Sequence, residues 1–242
     1  MLEEKFLKLL SDELVVALGC TEPSAIALAA ATARKYFKGD TLDKISVFAS
    51  ANNIKNAMNV KIAGTDRCGI SLAAAIGALK GKSENGLEIF KDLDPDTVSK
   101  ADELIRGGKV FVDIAKTNET LYIMVVIEGG GNISKAVVEK THTDVSLVEV
   151  DGRLISKTIN EESVENTDFT SIESIWDFVE SVDIKKLGLI KQAIELNRAI
   201  GEEGLKNAYG LQVGRIVLNE IGKGTIEDSF TNRAAALAAA GC

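Results

Sequence analysis

Between residues 110 and 150 the chain passes through four short apolar-rich runs separated by turn residues, and this limits the fold more than any other feature. The runs cover 110–114, 121–127, 134–139 and 146–150, with Asn118-Glu119, Gly129-Gly130-Gly131-Asn132 and Asp151-Gly152 at or between their ends. Such residues supply hairpin turns. Parallel strands need crossovers of a dozen or more residues, so an antiparallel meander is expected here. The glycine run has no Lys-Ser/Thr after it and opens no helix, which makes it a hairpin turn and not a phosphate loop.

Helical periodicity surrounds this region. Phe6, Leu9, Leu10, Leu14 and Leu18 give residues 2–18 a helix-like spacing, and an Ala-rich helix is expected over 22–37, ended by Gly39. Residues 44–49 alternate as a strand, 70–79 and 95–106 read as helices, and Gly81 and Gly107-Gly108 stand beyond their ends. After an acidic linker at 160–170, helices are expected at 171–181, 184–201, within 202–222, and from about Asn232. The resulting expectation is an α+β fold. A helical domain is built from both chain ends, 1–40 and 165–242. An α/β domain with a mainly antiparallel sheet is inserted at 41–164, and the strand at 44–49 joins that sheet.

A net charge of −8 with no basic run argues against a nucleic-acid partner. No apolar run reaches the roughly 18 residues of a membrane span. Three cysteines without an export signal point to a reducing compartment, with the cytoplasm as the default.

Leu18-Gly19-Cys20-Thr21-Glu22-Pro23-Ser24 places a cysteine just ahead of a helix start. Thr21 is the expected N-cap, with Pro23 in the opening turn. The positive end of the helix dipole favours a thiolate at Cys20, which fits a nucleophile, a soft metal ligand, or simply a small residue packed in a corner. Asn52, Asn53, Lys55 and Asn56 gather amides and an ammonium suited to a carboxylate, or form a solvated helix start. His142, the only histidine, sits in Lys140-Thr141-His142-Thr143-Asp144, as a surface residue or as a proton-handling one. Cys20, Cys68 and Cys242 have no C-x-x-C spacing.

Several of these stretches, taken in order, resemble one family. They are Gly19-Cys20-Thr21-Glu22-Pro23, then Asn53-Ile54-Lys55-Asn56-Ala57-Met58 leading to Ile62-Ala63-Gly64-Thr65, and Thr141-His142-Thr143-Asp144. Tyr209-Gly210-Leu211-Gln212-Val213-Gly214 and Thr231-Asn232-Arg233-Ala234-Ala235-Ala236 complete the set. It is similar to the iron–sulfur L-cysteine desulfidases, kin to the α chain of iron–sulfur L-serine dehydratases. The resemblance implies a lyase with a [4Fe-4S] cluster on three cysteines, one open iron acting as Lewis acid. Loss of an α-proton with sulfide or water would give an aminoacrylate that hydrolyses to pyruvate and ammonia. Cys20 matches the first cluster ligand, and Asn52, Asn53, Lys55, Asn56 and His142 fall near expected substrate contacts.

Family members run longer, with their other two ligands in a C-terminal part. Cys68 and Cys242 match neither ligand, and Ala63 stands where Pro is common. The chain is therefore expected to resemble an N-terminal portion, unable to hold the cluster alone, with a missing C-terminal portion or a second copy as partner. Two other functions fit the same residues. One is a non-catalytic module that binds or senses small amino acids, and the other a metal-free enzyme with Cys20 as nucleophile and His142 as base.

Overall fold

The computed structural model describes residues 2–157 and 170–241, which form two compact units. The α/β unit spans 16–165 and the helical unit comprises 1–15 with 166–242. Cys242 and most of the expected linker at 160–170 lie outside the described residues.

The α/β unit is built on a six-stranded sheet of order β2-β1-β3-β4-β5-β6. Its strands are β1 (Lys44–Ala49), β2 (Val110–Ile114), β3 (Tyr122–Gly129), β4 (Asn132–Glu139), β5 (Val145–Val150) and β6 (Arg153–Lys157). From β3 to β5 the strands form the expected antiparallel meander, which β6 extends, and β3 turns into β4 through Gly130-Gly131; β2, expected to open that meander, instead lies apart from β3 at the far side of β1. β1 does join the later strands, lying antiparallel to β3 but parallel to β2. The parallel pair is reached through a long crossover carrying α3 (Ala51–Ala57), α4 (Ile70–Lys80) and α5 (Pro95–Arg106). The overall class is α+β, as expected.

Alternation sets one face of the sheet. Ile45, Val47, Ile123, Val125, Ile127, Ala136 and Val138 are buried, and the registers align them on one side. Against that side lies α2 (Thr21–Tyr36), whose residues Pro23 to Ala33 are all buried. A helix with a single apolar stripe could not be covered all round; small side chains let α2 lie closely against the sheet at β3 and β4 and against α4, which itself reaches β1 and β2. Ser134 ties it down, its buried hydroxyl donating to the Ala33 carbonyl at 2.7 Å. Against α4, a Cβ at Gly77 would stand 2.3 Å from the Ala27 carbonyl oxygen, so only glycine allows this approach. Residues 16–40 thus belong with the sheet, which corrects the expectation that they pack with the C-terminal helices.

In the helical unit, α1 (Leu2–Glu13) meets α6 (Ile172–Ser181) through stacked Phe6 and Phe178 rings, 4.7 Å between centroids. Of the N-terminal region, α1 alone takes part in this unit. α7 (Gly188–Lys206) and α8 (Val213–Gly222) pack on the Ala-rich α9 (Phe230–Gly241) at Gly201, Gly204 and Gly214, where backbones come close. No helix among the described residues is long and apolar enough to cross a membrane.

Candidate functional site

The start of α2 gathers most of the residues singled out in the sequence. The chain turns at Gly19 with φ +79°, and Cys20 takes the N-cap position in an extended conformation. Thr21 is therefore the first helical residue and not the expected cap. No side chain caps this helix end; Ser24 Oγ instead donates to the Cys20 carbonyl at 3.1 Å. Cys20 is exposed at the helix mouth, not sealed in a corner of alanines.

α3 brings the second group. Ser50 caps it by accepting from the Asn53 amide N–H at 3.3 Å, while its own hydroxyl donates to the Thr120 carbonyl at 2.7 Å. Asn53 is 2% exposed and its side-chain amide donates to the Tyr122 carbonyl at 3.4 Å, anchoring α3 to the sheet. Asn52, Lys55 and Asn56 follow an i, i+3, i+4 spacing and share the opposite face, with Asn52 and Lys55 exposed. Asn56 Nδ2 donates to Glu22 Oε1 at 3.1 Å, which links α3 to the start of α2.

The third group comes from the β4–β5 turn. Lys140 at φ +66° and a Thr141–Glu139 backbone bond fold the turn so that His142 reaches Thr21, with Nε2 and Oγ1 3.4 Å apart. The Thr21 hydroxyl also donates to Glu22 Oε2 at 3.3 Å. Its single proton then leaves Thr21 Oγ1 as acceptor toward His142, which favours the tautomer with hydrogen on Nε2. Imidazole, hydroxyl, carboxylate and amide so form one connected line: His142, Thr21, Glu22, Asn56.

Electrostatically the site is mixed. The helix end offers partial positive charge, while Glu22, in its first turn, already draws on that charge. The dipole argument for a thiolate at Cys20 is correspondingly weaker than the sequence implies. Tyr122 stands two residues from the Thr120 carbonyl that holds Ser50, and partial burial with the charge of Glu139 pushes its phenol up from the ordinary value.

For an iron–sulfur cluster, the residues fall short. Cys20 offers one thiol, Cys68 is exposed in the loop following α3, and Cys242 lies outside the described residues. Among the described residues no three His, Cys, Asp or Glu side chains group so as to hold a metal ion. The sequence had not marked Thr21 and Glu22 as site residues. An acid in a first helical turn reads as a dipole partner, and its bond to Asn56, 34 positions away, leaves no trace in spacing.

No protein-family model matches the chain, and no solved structure does. Similar proteins are nonetheless numerous. A UPF0597 protein of Dichelobacter nodosus is 38% identical over 96% of this chain and 54% of its own length. Those of Clostridium perfringens (strain SM101) and Clostridium botulinum (strain Langeland) are 34% and 33% identical over 99% of the chain and 56% of theirs. Along nearly all of its length this chain is thus similar to proteins named UPF0597, and it spans about half the length of the relatives it matches.

Proposed function

We propose that this chain carries the amino-acid-contacting part of an iron–sulfur-dependent lyase that releases pyruvate and ammonia from L-cysteine or L-serine. One observation supports the reading: Cys20, Thr21, Glu22, Asn56 and His142, drawn from three separate stretches, converge at one helix mouth. Asn52 and Lys55 stand exposed on the same face of α3 as Asn56 and offer an amide and an ammonium to a substrate carboxylate. The line from His142 through Thr21 to Glu22 suits the holding and passing of a proton. Cys20 would give one thiolate ligand. The described residues do not complete a [4Fe-4S] ligand set.

Titration of the chain with L-serine, followed by nuclear magnetic resonance, tests the contacts. Shifts of the His142 ring and the Asn56 side-chain amide are expected, with affinity about tenfold weaker in Lys55→Ala. An unmoved His142 and Asn56 would remove the site. Pyruvate release after anaerobic reconstitution with iron and sulfide, together with the portion of a relative that this chain does not match, tests the lyase. Its loss in Cys20→Ser is expected. Binding without pyruvate would favour the non-catalytic amino-acid-binding module.

A further inference from the structure

Among the described residues, the helical unit leaves a complete amphipathic stripe uncovered. In α6, Ile172, Ile175, Trp176 and Val179 follow the i, i+3, i+4, i+7 spacing of a core-facing helix, yet Ile172 is 88% exposed and Trp176 64%. The stacked Phe178 points away from this stripe, toward Phe6. The pattern recurs in α7, where Leu189, Leu196 and Ile200 share one face and are all exposed. It recurs again at Val213 and Ile216 of α8. Scattered exposed apolar residues are ordinary, whereas periodic faces on successive helices mark a surface made to be covered.

The relatives supply the occupant. Proteins similar over 96–99% of this chain contain nearly as much polypeptide again, since the match takes up only 54–56% of their length. We infer that the exposed faces of α6, α7 and α8 form one half of a helical core, whose other half is a polypeptide equivalent to the portion of the relatives that this chain does not match. Charge fits an apolar partner. Within the stripe of α6 no residue is charged, and Glu173, Asp177 and Glu180 lie off it. Exposed Ala234, Ala235 and Ala238 on α9 would let a further helix of that partner approach closely. This inference does not rest on the lyase reading; it holds equally for a binding module.

Trp176 is the only tryptophan in the chain and lies within the surface, so its emission reports directly on coverage. The full chain is mixed with the separately produced unmatched portion of the Dichelobacter nodosus relative. That relative's own matched half, mixed with the same portion, shows that the portion is competent. A 1:1 complex by sedimentation, a blue-shifted emission, and roughly tenfold slower amide exchange in α6–α8 are expected. Trp176→Phe should retain the complex and Val179→Glu should lose it, with the sheet amides unaffected in both. Three results overturn the inference. One is no complex where the relative's own half forms one. Another is a blue shift that grows with the concentration of this chain alone, which means a second copy. The last is emission already shielded in the monomer.

Discussion

The two units use apolar residues in opposite ways. In the α/β unit, isoleucines and valines alternate along strands and disappear beneath the helices, and the small residues of α2 let α4 pack closely against it. In the helical unit, Phe6 and Ile221 are the buried large apolar side chains among the described residues, while Trp176, Ile194, Leu211 and Phe230 are exposed. Both units have helix-forming sequence, alanine-rich in α2 and α4 and striped with apolar residues in α6 and α7. The difference lies in what each helix finds to pack against: a sheet offers a broad apolar floor, and the five α-helices of the helical unit without a second layer do not. Good local sequence is therefore not enough to make a core.

The sharpest way to break this comparison is a matched pair of truncations. Ile127→Ala, at 0% exposure in the central strand, should cost about 3–4 kcal/mol in urea unfolding. Ile172→Ala in the helical unit should stay within about 0.5 kcal/mol. Equal losses would mean that α6 is covered in the isolated chain. A smaller effect is expected at the junction of sheet and site. Ser50→Ala removes both the cap of α3 and the bond to Thr120, and should cost about 1–2 kcal/mol. It should also shift the Asn56 amide resonance, while a loss with Asn56 unmoved would separate stability from site geometry.

The smallest effect concerns acid. Asp94 caps α5 by accepting from the Thr97 N–H and pairs with Lys80, and these partners hold its carboxyl well below the usual carboxylate range. A lowered folded value means that its stabilisation is present in full above about pH 4 and is lost as pH falls toward that folded value. The stability difference between the wild type and Asp94→Asn should therefore shrink on acidification. A difference that widened below pH 4 would reverse the assigned sign.

Local chemistry made much of the α/β unit legible in the sequence. Asp94-Pro95 announces the start of α5 and Gly107 its end, and the alternating runs mark β1 and β3 to β5. β6 escaped notice because Arg153 to Lys157 form an exposed edge strand interrupted by a register shift, with no buried alternation to read. The placement of α2 was hidden for a related reason. An alanine helix has no stripe that names its neighbour, so the same sequence fits a helical bundle and a sheet face. At the site, residue types were legible and partnerships were not. Cys20, Asn56 and His142 stand out by chemistry, but Thr21 meets His142 across 121 positions, a pairing created by the turn after β4.

The placement of β1 has a temporal consequence. Ile45 pairs with Val110 on one side and Ile127 on the other, so both neighbours of this strand arrive long after it in the chain. Closing such distant pairings costs more configurational freedom than closing a tight turn, and such pairings form more slowly. During synthesis the first strand waits for β2 until about 65 more residues have been made, and for β3 until about eighty. β2 pairs with β1 alone, so the parallel edge of the sheet is complete only once that first strand is in place.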